Sequence, residues 1–129
     1  MRRYTPLNDN GRRAKTVLMP ILSEWKTVRE IGERLEQLSA AQTAKNEGAA
    51  ILERRLHAAQ VHLRESMRRA EHIIARSSAL SPAQVMILTL RYVQGCGWSA
   101  IAQVAQMNRA RLFQEHRTGL NGIDFNPPT

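Results

Sequence analysis

The sequence predicts an all-α fold in which a long antiparallel helical hairpin precedes a small helix-turn-helix domain. Apolar residues recur at steps of three and four through most of residues 16–78, which is the period of an amphipathic helix. No stretch alternates apolar β-branched residues over a full strand. Glycine, proline and asparagine then divide residues 79–123 into short helical pieces.

The first 15 residues, MRRYTPLNDNGRRAK, are basic and have no apolar run behind them, so they do not form a secretory signal. We expect a flexible basic arm over residues 1–15. A first helix follows over about 16–44, with Pro20 tolerated only near an irregular start. Its apolar stripe is Leu18, Ile21, Leu22, Trp25, Val28, Ile31, Leu35 and Leu38.

Residues 45–48 (KNEG) interrupt the apolar pattern, and a second helix is expected from about 49 to 77. Two helices of similar length joined by a short connection predict an antiparallel hairpin over residues 16–78. The apolar stripe of the second helix is Leu52, Leu56, Ala59, Leu63, Met67, Ala70 and Ile74. Its arginines lie largely away from that stripe: Arg54, Arg55, Arg64, Arg68, Arg69 and Arg76.

A two-helix hairpin buries only one stripe on each helix and therefore needs a partner, either a second copy or the C-terminal segment. Because dimerisation into a four-helix arrangement is the simplest solution, we expect a homodimer through the hairpin. The expected dimer interface is Leu18, Ile21, Trp25, Val28, Leu35, Leu52, Leu56 and Leu63.

Ser81 is expected to cap a third helix that has Pro82 at its first position and ends near Val93. Its apolar residues cover much of its circumference, which predicts burial. The motif Gly-Cys-Gly at 95–97 ends this helix, and residues 124–129 are expected to form a flexible tail.

Residues 79–123 are expected to form a helix-turn-helix domain. A short helix over 99–105 is followed by a tight turn at Gln106-Met107, and Asn108 caps a last helix over 109–120. The small side chain of Ala102 suits the point where two helices cross closely. The last helix of such a unit lies in a DNA major groove.

The segment LSPAQVMILTLRYVQGCGWSAIAQVAQMNRARLFQEHRTGLNGI, residues 80–123, resembles region 4 of bacterial sigma factors. It is still more similar to phage sigma-region-4-like transcriptional regulators of the RinA and ArpU type. The matching positions are Arg91, Tyr92, Gly95, Trp98, Ile101, Ala102, Asn108, Arg109, Leu112, His116 and Leu120. This resemblance implies a DNA-binding transcription regulator that acts on phage or prophage genes in the cytoplasm of a bacterial host.

The chain carries a net charge of +8, which favours a polyanionic partner or an acidic protein surface. Residues 1–80 contribute 15 Lys/Arg against 9 Asp/Glu, so most of the excess lies outside the helix-turn-helix segment. Double-stranded DNA is the expected partner, and arginine and glutamine in the last helix are expected to read base edges. The candidate DNA-binding residues are Asn108, Arg109, Ala110, Arg111, Phe113, Gln114, Arg117 and Thr118.

Two alternatives stay open beside a sequence-specific regulator. One is a sigma-region-4 mimic that binds RNA polymerase or a sigma factor, and the other is a small terminase-like DNA-packaging protein. The arginines of the second helix form either a second nucleic-acid surface or a solvated face. No apolar run approaches the roughly 20 residues that span a bilayer, so no membrane partner is expected.

No catalytic constellation is visible, so we expect no enzyme and no cofactor. The histidines of the second helix, at 57, 62 and 72, share a helical face poorly, which argues against a metal site. His116 is expected to be a packed, hydrogen-bonded histidine of the last helix. The lone Cys96 is expected to be structural and fits a reducing compartment.

Overall fold

The computed structural model describes residues 4–40 and 47–125 of the 129-residue chain. Within those residues the regular structure is entirely helical, with no strand, which confirms the predicted all-α class. The elements are α1 (Asp9–Ala40), α2 (Glu47–Arg76), α3 (Pro82–Leu88), a π-helical turn (Thr89–Val93), α4 (Trp98–Ala105) and α5 (Arg109–Asn121).

Helix α1 begins at Asp9 rather than near residue 16, so the prediction of a flexible arm is wrong for residues 9–15. Asn8 acts as the cap, because its side chain accepts a hydrogen bond of 2.8 Å from the backbone N–H of Gly11. Pro20 therefore lies inside the helix instead of near its start. Its ring is exposed to solvent, where the loss of one backbone donor leaves no buried group unsatisfied.

The contacts between α1 and α2 indicate that the two helices run in opposite directions. The Glu24 carboxylate lies 2.9 Å from the ring of His62. Earlier in α1, Val17 and Ile21 share a groove with Ala70 and Ile73, which come later in α2. The connection falls largely in residues 41–46, outside the described residues, and α2 already includes the last two positions of the predicted 45–48 break.

One hydrophobic core joins the long helices to the C-terminal segment. Leu18, Ile21 and Leu63 are only 2%, 3% and 4% exposed within a single chain. They belong to a cluster that also contains Ala14, Ala70, Ile74, Leu88, Tyr92, Val93, Leu120 and Ile123. Burying one such aliphatic side chain stabilises the fold by roughly 1.5–3 kcal/mol. The partner that the apolar stripe required is therefore the C-terminal segment.

This packing corrects the expected dimer interface for five of its residues. Leu18, Ile21 and Leu63 are already buried, and Val28 and Trp25 pack against the same core. The Trp25 indole N–H also donates to the backbone carbonyl of Tyr92 at 3.3 Å.

The other three expected interface residues, Leu35, Leu52 and Leu56, are half-buried and do not belong to that core. They lie on the parts of α1 and α2 nearest to the connection between the two helices.

Helix α3 starts as the sequence predicts. The Ser81 hydroxyl accepts from the backbone N–H of Gln84, whose side-chain oxygen accepts from the N–H of Ser81, giving a complete capping box. Pro82 occupies the first helical position. The helix continues through the π-helical turn to Val93, so its predicted extent is confirmed.

The chain after α5 is held in place as far as residue 125. Ile123 is buried in the common core, and the backbone N–H of Asp124 donates to the Ser77 hydroxyl at 2.8 Å. The Arg13 guanidinium lies 4.5 Å from the centre of the Phe125 ring. The expected flexible tail is wrong for Asp124 and Phe125, because Ile123 is buried in the common core and Phe125 packs against it. Residues 126–129 lie outside the described residues.

Candidate nucleic-acid interface

A short turn sets the angle between α4 and α5. Gln106 ends α4 with φ 55° and ψ 45°, the left-handed conformation that a non-glycine residue rarely adopts. The backbone N–H of Met107 then donates to the carbonyl of Ala102 at 3.1 Å. Asn108 caps α5 as predicted, because its side chain accepts from the backbone N–H of Arg111 at 2.8 Å.

A small apolar cluster packs α4 and α5 against α3. Ile87 of α3, Ile101 of α4 and Leu112 of α5 are all fully buried and pack together. Ala102 and Met107 pack against them at the edge of the cluster. The cluster therefore holds α4, the turn and α5 together, and it leaves the first turn of α5 exposed.

An aromatic cluster fixes the middle of α5. The Trp98 ring makes edge contacts with Phe113, at 5.1 Å between ring centres, and with His116, at 4.8 Å. The Arg91 guanidinium lies 4.3 Å from the centre of the Trp98 ring. Phe113 was expected to face outward, but it is half-buried against this tryptophan. Sequence spacing alone did not reveal that Trp98 reaches across to α5.

His116 and Tyr92 form a neutral pair inside this cluster. The Tyr92 hydroxyl and His116 Nε2 are 2.8 Å apart, which confirms the expected packed, hydrogen-bonded histidine. Burial, with smaller effects from Arg91, Lys15 and Arg117, lowers the pKa of His116 to about 4. Burial also raises the pKa of Tyr92 to about 12, against an opposing effect of Arg91. Both rings are therefore uncharged at neutral pH.

The first turn of α5 is the exposed part of the candidate surface. Asn108, Arg109, Ala110 and Arg111 are all exposed, and the first turn contains no acidic residue. One terminal nitrogen of Arg109 donates to the Ser99 hydroxyl at 3.2 Å, which links it to the start of α4. The structure thus places four of the eight predicted DNA-binding residues together on one open surface.

Two of the later candidates on α5, Gln114 and Arg117, form hydrogen bonds with the N-terminal segment, residues 4–8. Thr5 receives a hydrogen bond of 2.9 Å from Arg117 Nε at its carbonyl, and its N–H donates to Gln114 at 3.0 Å. The Arg117 guanidinium also stacks 4.3 Å from the centre of the Tyr4 ring. Thr118 is half-buried. Gln114 and Arg117 are therefore already engaged within the chain.

The same segment closes the end of α5. The Asn121 side chain accepts from the backbone N–H of Asn8 at 3.0 Å and donates to the carbonyl of Pro6 at 3.1 Å. The Asn10 amide donates to the carbonyls of Asn121 and Ile123, at 3.0 and 2.7 Å. These contacts are not predicted from the sequence, although the run Asn-Asp-Asn at 8–10 is a helix-start signal.

The remaining candidates do not converge on this surface. Five arginines of α2, at 54, 55, 64, 68 and 69, are exposed, whereas Arg76 is half-buried. Among the described residues no group of three or more His, Cys, Asp or Glu side chains could hold a metal ion. Cys96 is a half-buried free thiol just before the start of α4.

No family model, curated protein or solved structure matches this chain. The interpretation of the surface therefore depends on its residues and their geometry. Within residues 4–40 and 47–125, no helix is both long enough and apolar enough to cross a membrane.

Proposed function

We propose that this protein is a sequence-specific DNA-binding transcription regulator of phage or prophage genes, working in the cytoplasm of a bacterial host. The exposed, basic first turn of α5 is the observation that carries the proposal. Arg109 and Arg111 are exposed there, and that turn contains no acidic side chain. In this proposal α4, the turn and α5 form a helix-turn-helix of the sigma-region-4 kind, attached to the antiparallel hairpin of α1 and α2.

In the proposed complex, α5 enters the major groove with its N-terminal end first. Arginine recognises guanine through two hydrogen bonds, and asparagine can do the same for adenine. Arg109, Arg111 and Asn108 lie within one helical turn, which suits contacts to neighbouring base pairs. Because the Asn108 side chain already caps α5, we assign base reading to the two arginines.

The proposed assembly is a homodimer formed through the outer part of the hairpin, where Leu35, Leu52 and Leu56 are half-buried and outside the common core. Two copies would present two α5 helices to two half-sites. Light scattering of Leu52→Arg tests this contact, with Gln60→Arg as a control at an exposed position of α2. We expect the first variant alone to become monomeric, with unchanged helix content by circular dichroism. The same mass for Leu52→Arg and the parent chain would refute this interface.

The experiment for DNA binding starts with selection of a preferred duplex from a random library. Fluorescence anisotropy then compares that duplex with a scrambled one for wild type, Arg109→Ala, Arg111→Ala and the control Arg34→Ala. Arg34 is equally exposed but lies near the end of α1. We expect Arg109→Ala to lose roughly 1–3 kcal/mol on the selected duplex, much less on the scrambled one, and Arg34→Ala to lose little on either.

Four results would overturn or redirect the proposal. Failure to select any sequence, with weak and uniform binding, would remove sequence-specific reading. Equal losses on both duplexes for Arg109→Ala would make Arg109 a phosphate contact. Binding to RNA polymerase or to a sigma factor without DNA affinity would favour the sigma-mimic alternative, and a ring of many subunits by light scattering would favour the packaging alternative.

A further inference from the structure

A cleft of about 320 Å³ lies between the N-terminal segment, α1 and α5. Tyr4 of the segment and Phe113, His116 and Leu120 of α5 contribute its aromatic and apolar walls. Small-molecule sites are usually clefts of roughly 300–1,000 Å³ with apolar walls and a few placed polar groups. This cleft is at the lower end of that size range, has both polar and apolar walls, and is open to solvent. It lies next to the surface that the proposed function assigns to DNA.

Two cations, Lys15 of α1 and Arg117 of α5, also line the cleft, and no acidic residue does. Within the described part of the chain Lys15 forms no ion pair. Arg117 is held in place by the hydrogen bond from its Nε to Thr5 and by a second one from Nη2 to Gln114. Its Nη1 forms no hydrogen bond to the described residues. Arginine binds phosphate through its planar guanidinium, and lysine binds it as a point charge, so both side chains suit a phosphate ligand.

The electrostatic effect of these cations is visible at the neighbouring histidine. After burial and Arg91, Lys15 and Arg117 are the next causes that lower the pKa of His116. A positive potential therefore reaches into the cleft and is not cancelled by a carboxylate among its walls. An anion bound there would offset that potential.

We propose that this cleft binds a nucleotide unit, with its phosphate between Lys15 and Arg117 and its sugar or base against Tyr4 and Phe113. The unit has two possible sources. A phosphate of the DNA backbone beside α5 is one, and this source rests on the proposed function. A free mononucleotide that acts as an effector is the other.

The test uses the full chain as wild type, Lys15→Gln and Lys26→Gln. Lys26 is a matched control, because it is an exposed lysine of the same helix, pairs with Glu30 and does not line the cleft. In the first arm, deoxyadenosine monophosphate, deoxyadenosine and inorganic phosphate are titrated and followed by amide chemical shifts in NMR. In the second arm, a scrambled DNA duplex is titrated by anisotropy at several salt concentrations.

For a free mononucleotide, we expect the monophosphate to shift the amides of Thr5, Lys15 and Arg117, and deoxyadenosine to bind more weakly. Lys15→Gln should weaken the monophosphate about tenfold, the loss of one charge-assisted hydrogen bond, while Lys26→Gln leaves it unchanged. For a DNA phosphate, Lys15→Gln should lower the duplex affinity and reduce the salt slope by about one unit, and Lys26→Gln should not.

The outcomes separate this inference from the proposed function. Monophosphate binding that depends on Lys15, in a chain with no affinity for any duplex, supports the cleft site and removes the DNA-binding proposal. Duplex binding that needs Arg109 but is the same for Lys15→Gln and Lys26→Gln, together with no monophosphate binding, overturns the cleft site and leaves the DNA-binding proposal standing. Binding of inorganic phosphate and monophosphate that Lys15→Gln does not alter also overturns the inference.

Discussion

Gly95 lies between the helix that ends at Val93 and α4, directly against the Trp25 indole of α1. Its φ is +67°, and a Cβ built at this position would lie 2.6 Å from Trp25 Cδ2. The indole cannot easily retreat, because it packs against the common core and donates its N–H to the Tyr92 carbonyl. Replacing Gly95 with alanine therefore tests how the C-terminal segment is joined to α1.

The expected cost of Gly95→Ala has two parts. The left-handed backbone costs an L-residue roughly 1–2 kcal/mol, and alanine recovers about 0.4–1 kcal/mol because it restricts the unfolded chain. Forcing a methyl group against a packed ring adds roughly 1–3 kcal/mol. We expect a net loss of about 2–3 kcal/mol in the free energy of unfolding, measured by urea denaturation.

A double-mutant cycle isolates the contact with the indole. In the Trp25→Ala background the ring is absent, so Gly95→Ala should cost only about 1 kcal/mol, giving a coupling energy of about 2 kcal/mol. Gly32→Ala is the control, since a Cβ there meets nothing within 4 Å inside α1 and should stabilise the chain by about 1 kcal/mol. An equal cost of Gly95→Ala in both backgrounds would refute the contact between Gly95 and Trp25.

Three further predictions concern the same joined structure. The folded chain holds His116 with a pKa of about 4, below the unfolded value near 6.5, so its stabilising contribution is complete above pH 6.5 and is lost as the pH falls towards 4. Urea denaturation across that window should show stability falling by about 1 kcal/mol per pH unit from this residue, a slope that disappears in His116→Gln but persists in His57→Gln. Gln106→Gly should raise the free energy of unfolding by about 0.5–1 kcal/mol, because glycine adopts the left-handed backbone conformation without strain, whereas Gln106→Val should lower it. The opposite order would mean that Gln106 does not adopt this conformation. In Gly11→Ala the new methyl group would clash with the Asn121 side-chain oxygen, so hydrogen exchange should show faster opening of residues 5–8 with the core amides unchanged. Unchanged exchange at residues 5–8 would contradict the packing described at Gly11.

The sequence predicted the helices well because their signals are local. The three-residue spacing of Leu18 and Ile21 identifies a buried face of α1. Ser81 before Pro82, and Asn108 before Arg109, identify helix starts from adjacent residues. Each of these signals involves residues within about two turns of one another. They therefore need no knowledge of the tertiary structure.

The packing partner of each apolar helix face could not be predicted from such local signals. An apolar stripe predicts that Leu18 is buried, but it does not distinguish burial against a second copy of the chain from burial against the C-terminal segment. Contacts such as Trp25 with Gly95, or Thr5 with Gln114 and Arg117, join residues about 70 to 110 positions apart and leave no periodic trace. The sequence therefore identified the exposed start of α5, but not the contacts of Gln114 and Arg117 with residues 4–8, which the sequence predicts as part of a flexible arm.

The hydrogen bonds that Thr5 forms with Gln114 and Arg117 have a consequence for DNA specificity in the proposed complex. With those two side chains engaged, base reading in the proposed complex falls to Arg109 and Arg111. Two good base contacts supply roughly 2–6 kcal/mol of discrimination, while specific DNA-binding proteins need about 4–10 kcal/mol over random sequence. One copy would reach only the lower part of that range. Two copies joined through the outer hairpin would double the number of base contacts. The proposed dimer and the restricted reading surface therefore depend on each other, because a monomer with only two base contacts would be expected to bind DNA largely through phosphates.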